Sequence, residues 1–234
     1  MKRIFVPTQT PSEWQRLLAK PTLHWKMSYS AMTTAACWEN ANGELPPEVK
    51  QSFHASGQSD LLDLKLMVAI PEWEVELPGG MRSSHTDVLV LASNKEGLVV
   101  GGVEAKVDEP FGLTLGEMRA KESTGQSKRI DYLHTVLRLD VPLKDEIRYQ
   151  LFHRTVSALR TAQDFHADAP VMLIHSFSPT SRWRKDFSSF CDAMAAKPLS
   201  PDLYIVPRFD TPRLYLAWCA GDGRFLNVKL PSMV

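Results

Sequence analysis

His85 to Gly112 reads HTDVLVLASNKEGLVVGGVEAKVDEPFG. Two apolar runs, Val88 to Leu91 and Leu98 to Val103, flank Ser93-Asn94-Lys95-Glu96-Gly97, which has the composition of a hairpin turn. Runs this continuously apolar suit strands covered on both faces. Gly101-Gly102 inside the second run marks a bulge or the close approach of another element. Side chains two apart on a strand share a face, so Glu104 and Lys106 project together while Ala105 points away. Antiparallel pairing through the turn sets the start of the first strand beside the end of the second, and so Asp87 beside Glu104. Two carboxylates on one patch repel and need a nearby cation to stay ionised. A hard divalent metal supplies one, and Lys106 is a second positive charge.

An acid followed on the next strand by acid-x-Lys, here Asp87 and then Glu104-Ala105-Lys106, resembles the signature of the PD-(D/E)XK phosphodiesterase superfamily, the restriction-endonuclease-like nucleases. Thr86 stands where that signature has proline. Asp108 to Gly112 and much of the remaining chain also resemble a bacterial family of conserved proteins without an assigned activity. The resemblance implies an α/β fold bordering on α+β, with a mixed central sheet flanked by helices. It implies a nuclease-like hydrolase of nucleic-acid phosphodiester bonds, with Mg²⁺ or Mn²⁺ held by Asp87 and Glu104 and Lys106 as the catalytic lysine. The superfamily often carries a further acid on its first core helix. Glu39 is the position that fits, with a solvated or salt-bridged glutamate as the alternative. Some members add a side chain from the helix after the acid-x-Lys strand, which makes Gln126, Lys128 and Tyr132 candidates for substrate contact. The Gln-to-Tyr spacing of one branch does not recur here.

Upstream, Pro11-Ser12-Glu13 opens a short helix with Ser12 as N-cap. Residues 1–27 read as a peripheral extension of a single domain spanning 1–234. A helix from about Ser28 to Asn42-Gly43 buries Ala31, Ala35 and Trp38, and another runs from Pro46-Pro47 to Ser56-Gly57. Leu64 to Ile70 alternates as a strand that Pro71 breaks or bulges. Trp73, Val75 and Leu77 then alternate with Glu72, Glu74 and Glu76, and the acidic face is expected to look toward solvent.

Downstream, Thr114-Leu115-Gly116-Glu117 has capping-box spacing, and a helix resumes near Gln126 with Ile130, Leu133, Val136 and Leu137 buried. A long helix from about Lys144 to His166 follows, on which His153 and Arg154 read as surface residues. Val171 to His175 is a buried strand, Ser181 to Ala196 a helix, and Leu203 to Val206 and Leu214 to Trp218 a final strand pair. Arg182, Arg184 and Lys185 are the densest basic cluster, either phosphate contacts or a solvated first turn. No nucleophile elbow accompanies His175-Ser176, so these residues do not support a serine hydrolase.

The 27 Lys and Arg balance 27 Asp and Glu, so the molecule as a whole exerts no pull on nucleic acid and any such binding needs a local basic face. Cys37, Cys191 and Cys219 lack metal-ligand spacing and read as buried, reduced thiols of a cytoplasmic protein. The apolar run near the N-terminus is too short for a signal peptide, and no stretch approaches the ~20 apolar residues of a membrane span. Nucleic acid is the expected partner and a membrane is not. Oligomeric state, homodimer included, is left open. Two functions compete: a metal-dependent nuclease, and a non-catalytic member of the same fold that binds protein or nucleic acid.

Overall fold

The computed structural model describes residues 8–80, 82–121 and 123–233. Helices α1 (Pro21–His24), α2 (Ser30–Asn40) and α3 (Pro47–Ala55) precede strands β1 (Lys65–Val75), β2 (Ser84–Asn94) and β3 (Gly97–Lys106). Then come α4 (Leu115–Arg119), α5 (Thr124–Val136), α6 (Tyr149–Phe165), β4 (Ala169–Ser176), α7 (Arg184–Ala193), β5 (Lys197–Ser200), β6 (Leu203–Ile205) and β7 (Tyr215–Ala220). The strands form one seven-stranded sheet in the order β1-β2-β3-β4-β7-β6-β5. β1, β2 and β3 are an antiparallel meander, and β4 lies parallel to β3 and to β7. The architecture is mixed α/β, with helices on both faces of a mixed sheet.

Two cores result. Leu89, Val100, Met172 and Trp218 pack with Leu133, Leu151, Val156 and Phe187 from α5, α6 and α7 on one face. Val88, Val103, Leu173 and Ala217 pack with Ala35, Trp38, Val49 and Phe53 from α2 and α3 on the other. Covering both faces is what makes β3 and β4 apolar without alternation. The β2–β3 ladder runs unbroken through Gly101 and Gly102. A Cβ on Gly102 would sit 3.3 Å from the Ala158 Cβ of α6, so it is the close approach of the helix, and not a bulge, that asks for glycine there.

Apart from the register shift between Leu66 and Val68, strand alternation fails in both β1 and β2, and these failures place the site. Leu89 packs in the α6-side core, yet Ser84, five residues earlier, also faces α6. Ile70 and Trp73 of β1, three apart, both pack on that side as well. Odd separations put side chains on opposite faces of a regular strand, so both strands slip by one residue between these points. Glu72 sits at the slip in β1 with φ of 51°, in the left-handed region. Asp87 sits at the slip in β2. Bulge-like slips that re-aim a side chain recur beside active sites.

Several expectations are revised. Of the two expectations at Pro71 the break does not occur, since β1 is continuous from Lys65 to Val75 at the sheet edge, where a missing N–H costs nothing; the irregularity lies at the next residue, Glu72. Pro11–Leu17 is a 3₁₀ turn whose N-cap position is Thr10, not Ser12. The stretch read as a peripheral extension puts Trp14 and Trp25 into the α2-side core; residues 1–7 lie outside the described residues. α6 begins at Tyr149, because the preceding segment hydrogen-bonds to residues 113–116, with Leu115 N donating to Ile147 O and Tyr149 N to Leu113 O. The Thr114–Glu117 capping box forms as its spacing indicates.

Candidate active site

Asp87, Glu104 and Lys106 come together on the α6 face of the β2–β3 pair. The ladder's last rung is Val88 with Val103, and beyond it the Asp87 carboxylate accepts the Ala105 N–H at 2.7 Å. Glu104 is 3% exposed and engaged by three donors: Lys106 Nζ at 2.7 Å, Gln150 Nε2 at 2.7 Å and Arg154 Nε at 2.5 Å. Lys106 is buried, and its ammonium also lies 5.2 Å from the centre of the Phe111 ring. Beside Lys106 in the β3–β4 register is Ser176, whose buried hydroxyl has no hydrogen-bond partner.

Glu72 is the third carboxylate of this patch. The strand slip turns it from the acidic outer face toward Asp87, while Glu74 and Glu76 stay exposed as expected. Burial and the neighbouring Asp87 charge push its acid up to about 9. Burial and the Glu104 charge push Asp87 up to about 7. Burial also presses on Glu104, but the Arg154 and Lys106 charges outweigh it and hold that acid below its ordinary range. Three carboxylates thus face two cations, and the crowding is relieved by Glu72 and Asp87 holding on to their protons.

That imbalance tests whether a metal belongs here. An all-oxygen donor set with uncompensated negative charge suits Mg²⁺ or Mn²⁺, and the orphaned Ser176 hydroxyl shows unmet polar capacity next to Lys106. The chemistry of these donors suits such an ion, but among the described residues the three carboxylates are not gathered within 4.8 Å of one another, and both Glu104 oxygens are already engaged by protein donors.

α6 supplies the other half of the site. His153 and Arg154, read from sequence as surface residues, face inward. Arg154 is 9% exposed and spans Glu104 and Ser84, its Nη1 donating to Ser84 Oγ at 2.9 Å. Ser84 Oγ also accepts from Ser157 Oγ at 2.8 Å and lies 2.9 Å from His153 Nδ1. The β1–β2 turn is pinned above this cluster by Arg129, which donates to the carbonyls of Leu77, Pro78 and Arg82. Gly79, with φ of 74°, lets that turn lie on α5: a Cβ there would sit 2.5 Å from Arg129 N.

The remaining sequence candidates are not gathered at the acids. Glu39 is on α2, across the sheet from Glu104, where its Oε1 accepts from Trp14 Nε1 at 2.8 Å. The helix carrying it packs against the opposite face, so Glu39 is not gathered with the acids; it is a half-buried glutamate held by a tryptophan and not by a salt bridge. Lys128 is exposed on α5, and Gln126 on the same helix has an unpartnered amide oxygen; neither has a hydrogen bond to the acids. Arg184 turns to Asp202 and the Pro201 carbonyl, and Arg182 lies over the Trp183 ring, 3.9 Å from Asp108.

A second polar cluster lies across the sheet. Cys37 Sγ, a Glu48 oxygen and a ring nitrogen of His175 fall within 4.8 Å of one another. Trp38 Nε1 donates to His175 Nδ1 at 3.3 Å, so the ring proton sits on Nε2 and points to Glu48 Oε1 at 3.2 Å. No imidazole lone pair is left for a metal. Burial and the Glu48 charge push the Cys37 thiol far up, so it too stays protonated and donates to Glu48 at 3.3 Å. This is a closed hydrogen-bond network that ties α2 and α3 to β4. Cys37, Cys191 and Cys219 are all free and buried.

No described helix is long and apolar enough to cross a membrane. No curated protein and no solved structure matches the chain. The family model described as Domain of unknown function (DUF6946) matches residues 7–223, and the chain belongs to that family.

Proposed function

We propose that this protein is a metal-dependent phosphodiesterase acting on nucleic acid, built on a restriction-endonuclease-like core. The observation that carries the reading is the convergence of Asp87, Glu104 and Lys106 at the end of a strand pair, with Glu72 added and two acids left short of positive charge. The element order around it, helix α2, three meander strands, helix α6 and a parallel β4, matches the order of that superfamily's core and supports the same reading.

Asp87 and Glu104, with Glu72 beside them, would hold Mg²⁺ or Mn²⁺. Such an ion would supply Lewis-acid charge toward the phosphate. The chain's own residues do the rest. Lys106, fixed by Glu104, orients the attacking water and stabilises charge developing on the phosphate. Arg154 and Gln150 lock the Glu104 carboxylate in one orientation, so that no reorganisation is needed as charge builds.

A non-catalytic binding module is the second reading, and one observation favours it: both Glu104 oxygens already accept from protein donors. Cleavage of single- and double-stranded DNA and RNA with Mg²⁺ or Mn²⁺ separates the two. Wild type should cut at least one substrate and Lys106→Ala should not; equal traces from both proteins support the binding module.

A further inference from the structure

We infer that a cavity of about 220 Å³ at the end of α5 binds a phosphate group between Arg138 and Arg160. The inference stands apart from the phosphodiesterase reading, since the cavity shares no residue with the acid patch. Its walls come from α5 and the turn after it, from α6, and from the loop around Phe209. Arg138 and Arg160 are the charged residues that line it, and no acid does.

Neither guanidinium has a carboxylate partner among the described residues. Arg138 follows α5 with φ of 51°, a left-handed position that glycine takes at less cost. Its Nη1 donates to the Arg208 carbonyl at 3.1 Å, and its guanidinium lies 4.8 Å from the centre of the Phe209 ring. Arg160 Nη1 donates to Gln163 Oε1 at 3.1 Å. These neutral partners fix both forks and leave both charges uncompensated. A third guanidinium, that of Arg208, donates to the carbonyls of Leu137 and Met194, so its charge adds to theirs. Asp140 is the acid whose charge reaches Arg208, and it is not in the cavity wall. The free carbonyls at a helix C-terminus ordinarily repel an anion. Here they are taken: those of Leu133, His134 and Thr135 accept from the amides of Leu137, Leu139 and Arg138.

A phosphate suits this arrangement better than a carboxylate. Two guanidinium forks on different elements can each grip a pair of oxygens on a tetrahedral anion, whereas a carboxylate offers one pair. The Gln163 side chain, accepting through Oε1, keeps its NH₂ as a further donor. The volume is below the about 300 Å³ at which sites for whole drug-sized ligands begin, so it takes one phosphate group and, against Leu159 and Phe209, the adjoining carbon of its ester. That ester is either a free phosphomonoester or a link in a nucleic-acid strand.

Inorganic phosphate is the first probe, followed by calorimetry. Wild type should bind it saturably, and Arg138→Gln and Arg160→Gln should each weaken binding about tenfold, the scale of one hydrogen bond to a charged group. Sulfate should compete and acetate should not. In the unaltered protein the Gln163 side-chain amide signal should move as phosphate is added, a readout that does not depend on whether a variant folds. A nucleoside 5′-monophosphate and a short single-stranded oligonucleotide then tell the sources apart, the carrier being the one whose binding both substitutions weaken. A Gln163 signal that phosphate leaves in place, equal binding in both variants and wild type, or acetate competing as well as sulfate overturns the inference. Phosphate binding lost in Lys106→Ala and kept in both arginine variants would put the anion at the acid patch, against this cavity and in favour of the phosphodiesterase.

Discussion

The Asp87 carboxylate accepts the backbone N–H of Ala105 at 2.7 Å, so the acid of one strand is tied to the residue between Glu104 and Lys106 of the next. A ladder rung has been replaced by a side chain, and the two carboxylates are held close despite their repulsion. The arrangement has consequences for pH. Asp87 moves from 3.8 up to about 7 on folding, and Glu72 from 4.5 up to about 9. A raised carboxylate adds stability that is fully present below its unfolded value and is lost as pH rises through the folded one. The metal-free protein should therefore melt at a higher temperature near pH 5 than near pH 8. Asp87→Asn and Glu72→Gln should each flatten that slope and raise the melting temperature at pH 8. Calorimetry across this range checks it, and a wild-type protein that gains stability toward pH 8 would speak against the charge crowding.

Arg154 and Glu104 are both buried, with side chains 10% and 3% exposed. Removing one member of a buried pair leaves the other uncompensated, at a cost of about 3–5 kcal/mol. Lys106 still pairs with Glu104 in Arg154→Met, so that variant should lose less than this in urea denaturation, and the double variant Arg154→Met/Glu104→Gln should depart from the sum of the two single losses. Additive losses would mean that the two side chains are not coupled.

Gly79→Ala should destabilise the protein by more than about 1 kcal/mol, because alanine disfavours its positive φ and the new Cβ would strike the α5 backbone at Arg129. The loss should reach activity as well, since the same turn is gripped by Arg129 and leads directly into Ser84. Unchanged urea midpoints for Gly79→Ala would show that the turn is not held against α5.

Cobalt separates the two polar clusters. With Trp38 donating to His175 Nδ1 and a protonated Cys37, the Cys37–Glu48–His175 network should give no thiolate-to-cobalt absorption when Co²⁺ is added. Appearance of that band in the wild type, and its loss in Cys37→Ser, would show a metal site where the hydrogen bonds indicate none.

Much of this was legible in the chain. The apolar runs around Ser93–Gly97 gave the hairpin, and the period of two in a strand put Glu104 and Lys106 on one face. What was not legible came from interruptions of period and from tertiary position. Glu72 alternates with Trp73 and Val75 as a surface residue should, and only a left-handed residue inside β1 turns it inward. Arg154 is an ordinary helix arginine until α6 is laid over the end of β3. The available clue was spacing: Gln150, Arg154 and Ser157 run along the edge of the apolar stripe formed by Leu151, Thr155 and Ala158. Glu39 lies on the expected helix, but that helix covers the other face of the sheet.

The most direct measurement is a titration of Mn²⁺ into purified protein, followed by calorimetry, for wild type, Asp87→Asn and Glu104→Gln. Saturable binding in the wild type that both substitutions abolish is the expected result. Binding of equal strength in all three proteins, or none in the wild type, contradicts it.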